Sequence, residues 1–307
     1  MAKRKSTRKK DEPGKLVAVL RSLRPHQWVK NALVFVPLVL GGLFLEFDAW
    51  GYALLGFVAL CFAASAIYVI NDLSDLASDR KHWSKRERAF ASGTLSVGTG
   101  YIISAVLLAA AFGTGAIIGP EEAAMLAVYV AIALSYTFYW KRIPIADIFV
   151  IALLFTFRIA LGIFILDVRI SPWLLVFSMF VFFSLSAAKR HTELLRSRKR
   201  DAGAMPGRGY LRADLPLLSG LGLAAMLGAV LINVVYLLED AFPRTVYSST
   251  EWLWIIPPVI FLFLGRIWLF SHRGWLHDDP VAFALGDRVS IALGVLLTIA
   301  FLLAVFS

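Results

Sequence analysis

The 307-residue chain holds one cysteine, Cys61, and five histidines. A single thiol excludes an intramolecular disulfide and any Cys-rich metal site, and Cys61 reads as core packing. Charge is also scarce: 17% of the residues are Asp, Glu, Lys or Arg, against 59% apolar ones, and the mean hydropathy is +0.73. That balance excludes an ordinary soluble domain. No Ser/His/Asp or Cys/His arrangement points to nucleophilic catalysis. The basic leader lacks the apolar segment and small-residue cleavage site of a secretory signal directly behind it. No pair of Gly/Pro-broken spans recurs in equivalent halves, which weighs against a transporter or flippase, and no heptad or GxxxG pattern fixes an oligomeric state.

What the chain does contain is a series of long apolar runs, at about 30–46, 52–70, 96–118, 122–140, 145–166, 172–188, 215–238, 252–271 and 286–306. They predict an all-α polytopic membrane protein, a bundle of nine transmembrane helices. Pro37 and Gly41-Gly42 interrupt the first run, and Pro257-Pro258 predict a kink in the eighth. Of the 31 Lys and Arg residues, 28 fall on one side of this topology, leaving Arg169 and Arg244 opposite and Arg158 within the fifth span. The amino terminus and the connections after spans two, four, six and eight are therefore expected in the cytoplasm, at the cell membrane. Residues 1–22 read as a basic, disordered cytoplasmic tail and 23–307 as one transmembrane catalytic domain. Lys3, Arg4, Lys5, Arg8, Lys9 and Lys10 explain much of the net charge of +10 as attraction to anionic membrane lipids, without nucleic acid.

The densest polar signal follows the second apolar run. With Asn71 at zero on a helical wheel, Asp72 lies at about 100°, Asp75 at about 40° and Asp79 at about 80°, so four oxygen-bearing side chains share one face. Carboxylate and amide oxygens suit Mg²⁺, which keeps waters and shares its shell with substrate phosphates. Arg80, Lys85 and Arg88 behind the stripe could grip the same phosphates. A magnesium-bound pyrophosphate is the expected ligand; the plain alternative is a solvated helix end.

Three further clusters flank the spans. Arg24-Pro25-His26-Gln27-Trp28-Val29-Lys30-Asn31 suits either a phosphate site or a membrane-interface anchor. Tyr136, Lys141, Arg142, Asp147 and Arg158 cross the junction of spans four and five. Asp147 and Arg158 are about 16 Å apart along one helix and point to the same region without touching. A guanidinium as deep as that of Arg158 must meet substrate or a carboxylate from another helix. Span six ends in Ser184, Ser186, Lys189, Arg190, His191 and Glu193, followed by the basic run Arg196, Arg198, Lys199 and Arg200. There Lys189 and Arg190 would hold phosphate, and Glu193 would complete a metal shell, accept sugar hydroxyls, or simply pair with Lys189. His277-Asp278-Asp279-Pro280 and Asp287-Arg288 either line the mouth of the cavity or cap helices.

The run Asn71-Asp72-x-x-Asp75-x-x-x-Asp79-Arg80, with His82, Lys85, Arg88 and Ala91-Ser92-Gly93 behind it, resembles the first aspartate-rich motif of the UbiA superfamily of membrane prenyltransferases. Within it, Leu23 to Asn31, Lys141 to Gly162 and Asp278 to Leu285 are similar to the decaprenyl-phosphate phosphoribosyltransferases, so that the likeness covers essentially the whole chain after the tail. The resemblance implies Mg²⁺-dependent transfer of 5-phosphoribose from phosphoribosyl pyrophosphate to a polyprenyl phosphate, a step towards cell-wall arabinan, and it suggests self-association. Asp72, Asp75 and Asp79 are then the expected catalytic residues, with Asn71 joining them around the metal. Lys30, Asn31, Arg80, Lys85, Arg88, Tyr136, Lys141, Arg158, Lys189, Arg190 and Glu193 are expected to bind substrate. Aromatic prenyltransferases of the superfamily carry a second aspartate-rich motif between spans six and seven, where this chain has Lys189-Arg190-His191-Thr192-Glu193. That departure disfavours the alternative of an aromatic prenyltransferase using a prenyl diphosphate donor.

Overall fold

The computed structural model describes residues 14–81, 85–196, 208–244, 246–276 and 279–307. His82, Arg198 to Arg200, His277, Asp278 and, in the tail, Lys3, Arg4, Lys5, Arg8, Lys9 and Lys10 lie outside them. Ten helices carry the architecture: α1 (Lys15–Ser22), α2 (Phe47–Ser74), α3 (Val97–Ile118), α4 (Pro120–Phe138), α5 (Ala146–Ile165), α6 (Pro172–Arg196), α7 (Leu215–Tyr236), α8 (Ile256–His272), α9 (Pro280–Gly286) and α10 (Arg288–Phe306). Among the described residues there is no strand. With their flanking turns, α2 to α8 and α10 supply eight helices long and apolar enough to cross a membrane.

The run expected as the first span is not a continuous helix. It is a 3-10 stretch Pro25–Phe35, a short α-helical stretch Val36–Leu40 and a second 3-10 turn Leu43–Leu45. Gly42 separates the last two at φ 81°, a left-handed conformation that glycine adopts without a Cβ penalty. Among the described residues, eight continuous spans and one broken segment therefore stand where nine helices were expected. The Pro257-Pro258 pair lies inside the span Thr250–His272, at the change of helix type within it. Thr250–Ile255 is a 3-10 turn and the prolines open α8, where a missing N–H breaks no helical bond. Part of the expected tail is ordered as α1.

Helix α5 joins the two halves of the core. Ile148, Ala152, Ile159 and Ile163 pack into one apolar cluster with α6, α7 and α8, while Leu161 and Ile165 pack into another with α2, α3 and α4. An element packed on two sides keeps only part of its surface outside, including Phe149 and Phe164, and its polar residues Asp147 and Arg158 are buried inside protein. The broken segment lies against α5 at Gly162, where a Cβ would be 2.3 Å from the Val34 carbonyl oxygen. Only a bare α-carbon allows that approach, which carries Lys30 and Asn31 to the level of Arg158. Gly162→Ala is expected to destabilise the bundle by about 1–3 kcal/mol through this backbone clash, read as a lower thermal unfolding midpoint in detergent.

Candidate active site

The polar residues at the end of α2 are set by how that helix stops. Asp75 is its C-cap at φ −92°, ψ 4°, and one more helical turn, Leu76–Asp79, follows. The Asp75 N–H donates to the Asn71 carbonyl and the Asp79 N–H to the Asp75 carbonyl, each at 2.9 Å, so the one-turn spacing continues across the junction. The stripe is nonetheless divided. Asn71 and Asp75 line a cavity of about 430 Å³, whereas Asp72 and Asp79, 5% and 2% exposed, lie behind its wall.

Each half holds its own cation. Lys141 Nζ donates to Asp75 Oδ1 at 2.7 Å and to Asn71 Oδ1 at 3.3 Å. Behind the wall, Arg88 Nη1 bridges Asp72 at 3.1 Å and Asp79 at 2.7 Å, and Arg24 adds a bond to Asp72 at 2.5 Å. Lys85 stands 4.0 Å from Asp79. Burial, with the Arg88 charge beside it, lowers the Lys85 pKa. Arg80 is exposed and outside the lining, because one residue beyond Asp79 turns it by about 100°.

The opposite wall is built on α5 and α6. Arg158 donates from Nε to Asn31 Oδ1 at 2.9 Å, from Nη2 to the Tyr129 hydroxyl at 2.7 Å and from Nη1 to the Leu154 carbonyl at 2.6 Å. Asn31 is fixed in turn by donating to the buried Cys61 Sγ at 3.3 Å. Among the described residues, no carboxylate pairs with Arg158 within 4.0 Å, so its charge is oriented by neutral groups and left facing the cavity.

Asp147 takes the partner that Arg158 does not. It is 0% exposed and accepts from Arg190 Nε at 3.0 Å, from Arg208 Nη1 at 3.4 Å and from the Tyr210 hydroxyl. Burial and the Asp147 charge raise the Tyr210 pKa, so this hydroxyl keeps its proton and donates. The start of α5 is shaped for the contact: Ile145 sits at φ 67° and the Ala146 N–H reaches the Pro144 carbonyl at 2.7 Å, a tight three-residue turn. A β-branched residue at positive φ is strained, and the bond from the Ile145 N–H to the Tyr210 hydroxyl at 2.7 Å helps hold it. Arg190 also donates to Glu193, in place of the Lys189–Glu193 pair that was one alternative for that carboxylate. Lys189 instead shares Asp279 with Lys30, at 3.2 and 2.6 Å.

Asp279 combines both roles considered for it. Its Oδ1 accepts from the Val281 N–H at 3.1 Å, capping α9, while Oδ2 faces the cavity. Burial alone would raise its pKa, but Lys189 and Lys30 outweigh this and hold it at about 2. Asp287, by contrast, caps α10 through the Ser290 N–H and pairs with Arg266, outside the lining.

The cavity thus gathers Asn71, Asp75, Lys30, Lys85, Arg88, Tyr136, Lys141, Arg158, Lys189, Arg190 and Glu193. Asn31, Asp72 and Asp79 support it from behind. Sequence reasoning missed Tyr129 and Arg208, which donates to Tyr136 at 2.7 Å. The available signal was Gly209 between a cation and an aromatic residue. A Cβ there would lie 2.6 Å from the Arg142 carbonyl oxygen, so the loop must pass close to the start of α5. Nine Lys and Arg side chains line the cavity against three carboxylates, Asp75, Glu193 and Asp279, an excess suited to a polyanion. Among the described residues, no three His, Cys, Asp or Glu side chains form a metal cluster. A hard cation sharing its shell with phosphates still fits the wall, since Asn71 Oδ1 and Asp75 Oδ1 already converge on one charged nitrogen.

Fold and site define a multi-pass membrane protein with a strongly cationic cavity at a carboxylate-bearing helix end. The chain belongs to the UbiA prenyltransferase family, whose model matches residues 34–285. It is 42% identical over 285 residues to the uncharacterized protein y4nM of Sinorhizobium fredii, covering 93% of this chain but only 55% of that protein. It is 33% identical over 288 residues to nodulation protein NoeC of Azorhizobium caulinodans, covering 91% of each. It is 30% identical over 284 residues to decaprenyl-phosphate phosphoribosyltransferase of Mycobacterium tuberculosis, covering 90% and 91%. The solved structure of a UbiA homologue from Archaeoglobus fulgidus bound to GPP and Mg²⁺ shares the fold, with a TM-score of 0.69 at 17% identity over 94% of this chain and 98% of that one.

Proposed function

We propose that this protein transfers 5-phosphoribose from phosphoribosyl pyrophosphate to a polyprenyl phosphate, releasing pyrophosphate, at the cytoplasmic side of the cell membrane. The observation that carries the reading is the excess of cations over carboxylates around the cavity. A donor with a 5-phosphate and a pyrophosphate, meeting an acceptor phosphate, needs such a lining; a prenyl diphosphate with a neutral aromatic acceptor needs far less. The apolar part of the same wall, Ile67, Ile151, Leu154, Phe155 and Phe182, gives the polyprenyl chain a place beside its phosphate. The relative named decaprenyl-phosphate phosphoribosyltransferase supports a phosphoribosyl donor. The placement of 28 of 31 Lys and Arg residues on one side supports the cytoplasmic orientation.

In the reaction, an acceptor phosphate oxygen attacks the anomeric carbon as the bond to pyrophosphate breaks, and pyrophosphate departs with the bonding electrons. The acceptor oxygen is already anionic near neutral pH, its second pKa being about 6 by analogy with phosphorylated side chains, so no general base is required. Lys85, Arg88, Lys141 and Lys189 stabilise the charge that grows on the leaving group, and Lys30 and Arg158 orient the phosphates. A divalent cation held by Asn71 and Asp75, with Asp72 and Asp79 behind them, would supply further neutralisation of the pyrophosphate.

Pyrophosphate release by the purified protein with Mg²⁺ tests the reading. Release with phosphoribosyl pyrophosphate plus polyprenyl phosphate, together with a phosphoribosylated lipid, is expected. Release only with prenyl diphosphate plus hydroxybenzoate would identify an aromatic prenyltransferase. Arg158→Leu is expected to raise the donor KM about 10- to 100-fold, the loss of one charge-assisted bond of about 1.5–3 kcal/mol. A lower unfolding midpoint with unchanged donor KM would assign Arg158 to structure alone.

A further inference from the structure

Helix α1 is amphipathic in two directions. It lies against the end of α2, with Ala18 buried in a cluster containing Val69, Phe90 and Leu95 and bordered by Leu73 and Leu76. Those residues are within one or two turns of the point where α2 leaves its apolar stretch, so α1 sits at the level of the membrane surface. On a helical wheel with Leu16 at zero, Leu20 falls at about 40° and Val17 at about 100°, while Ala18 and Ser22 fall at about 200° and 240°. The small residues face the protein. The three large apolar ones face away and are 72%, 43% and 51% exposed for Leu16, Val17 and Leu20. Arg21, at about 140°, borders that outer sector, while Lys15, at about 260°, lies beside Ser22 on the opposite side of the wheel; both are exposed.

We propose that α1 is an interfacial helix that inserts Leu16, Val17 and Leu20 into the headgroup–acyl boundary of an anionic leaflet, with Arg21 on the lipid phosphates. Charge complementarity selects this occupant. An apolar sector bordered by Arg21 matches a negatively charged bilayer surface, and Lys3, Arg4, Lys5, Arg8, Lys9 and Lys10 precede the helix in sequence. A second copy of the same face would bring like charges together. The helix leads through Leu23 to Arg24, which takes φ 52° and bonds Asp72, so the lipid-bound segment is continuous with the support of the helix end.

The test places a spin label at Leu20→Cys in the full-length protein, the native Cys61 being buried. Nanodiscs of phosphatidylcholine are compared with and without phosphatidylglycerol. A label at position 20 is expected to be relaxed by oxygen and shielded from a water-soluble nickel complex, more strongly with phosphatidylglycerol. Arg21→Cys is expected to give the reverse accessibility, and Leu16→Cys repeats the first result at a second exposed position. Nickel access at positions 16 and 20 in both lipids would overturn the proposal. Shielding only when two copies share a disc would assign the face to self-association instead. Equal immersion in both lipids would remove the headgroup-charge part.

Discussion

Asp75→Asn is expected to lower turnover by about 10²- to 10³-fold while leaving the thermal unfolding midpoint unchanged. The Asp75 side chain is 27% exposed and reaches the cavity at the C-cap of α2, where its ion-pair partner among the described residues is Lys141. Replacing it removes negative charge from the place assigned to the metal without emptying a buried position. Loss of one preorganised stabiliser of a developing charge costs about 2.7–4 kcal/mol of activation free energy. Asp79→Asn is expected to behave differently. Asp79 is 2% exposed and binds Arg88 at 2.7 Å, so the substitution weakens a buried pair as well as the site, and both turnover and stability fall. Pyrophosphate release and thermal unfolding measured on the two variants separate these outcomes. Unchanged Mg²⁺-dependent turnover in Asp75→Asn would remove the end of α2 from the chemistry.

The largest loss of stability is expected from Asp147→Asn, about 3–5 kcal/mol, seen as a lower unfolding midpoint and less folded protein in detergent. Asp147 is fully buried and accepts from Arg190, Arg208 and Tyr210. Removing its charge leaves Arg190 in the interior with Glu193 as its remaining carboxylate among the pairs described. Breaking one side of a buried pair is more damaging than replacing both, because the desolvation of the surviving charge is no longer offset. The double variant Asp147→Asn/Arg190→Met is therefore expected to recover part of the loss. Additive effects in that cycle would show that the two residues act independently.

Much of this architecture was legible in the chain. Long apolar runs fixed the helical class, and the resemblance of Asn71 to Arg80 to an aspartate-rich motif is borne out at the level of the family by the match over 34–285. Pro37 and the Gly41-Gly42 pair flagged the weak first span, which the fold resolves into short turns. Partnerships were not legible. Periodicity places Lys189 one turn from Glu193, but it cannot show that Asp279, 90 residues away, comes closer to Lys189. Nor can it show that Asn31 and Tyr129, from two other segments, would orient Arg158 in place of a carboxylate.

Sequence by itself determined that this is an all-helical membrane protein and that its polar side chains concentrate at the ends of α2, α5 and α6, since hydropathy and helical spacing are local properties. Tertiary structure alone decided that Asn71 and Asp75 face the cavity while Asp72 and Asp79 do not, and that Arg158 keeps its charge open while Asp147 neutralises Arg190. The physical reason is that the effect of a charge depends on what desolvates it and what lies within a few ångströms, and both are set by contacts between segments distant in the chain.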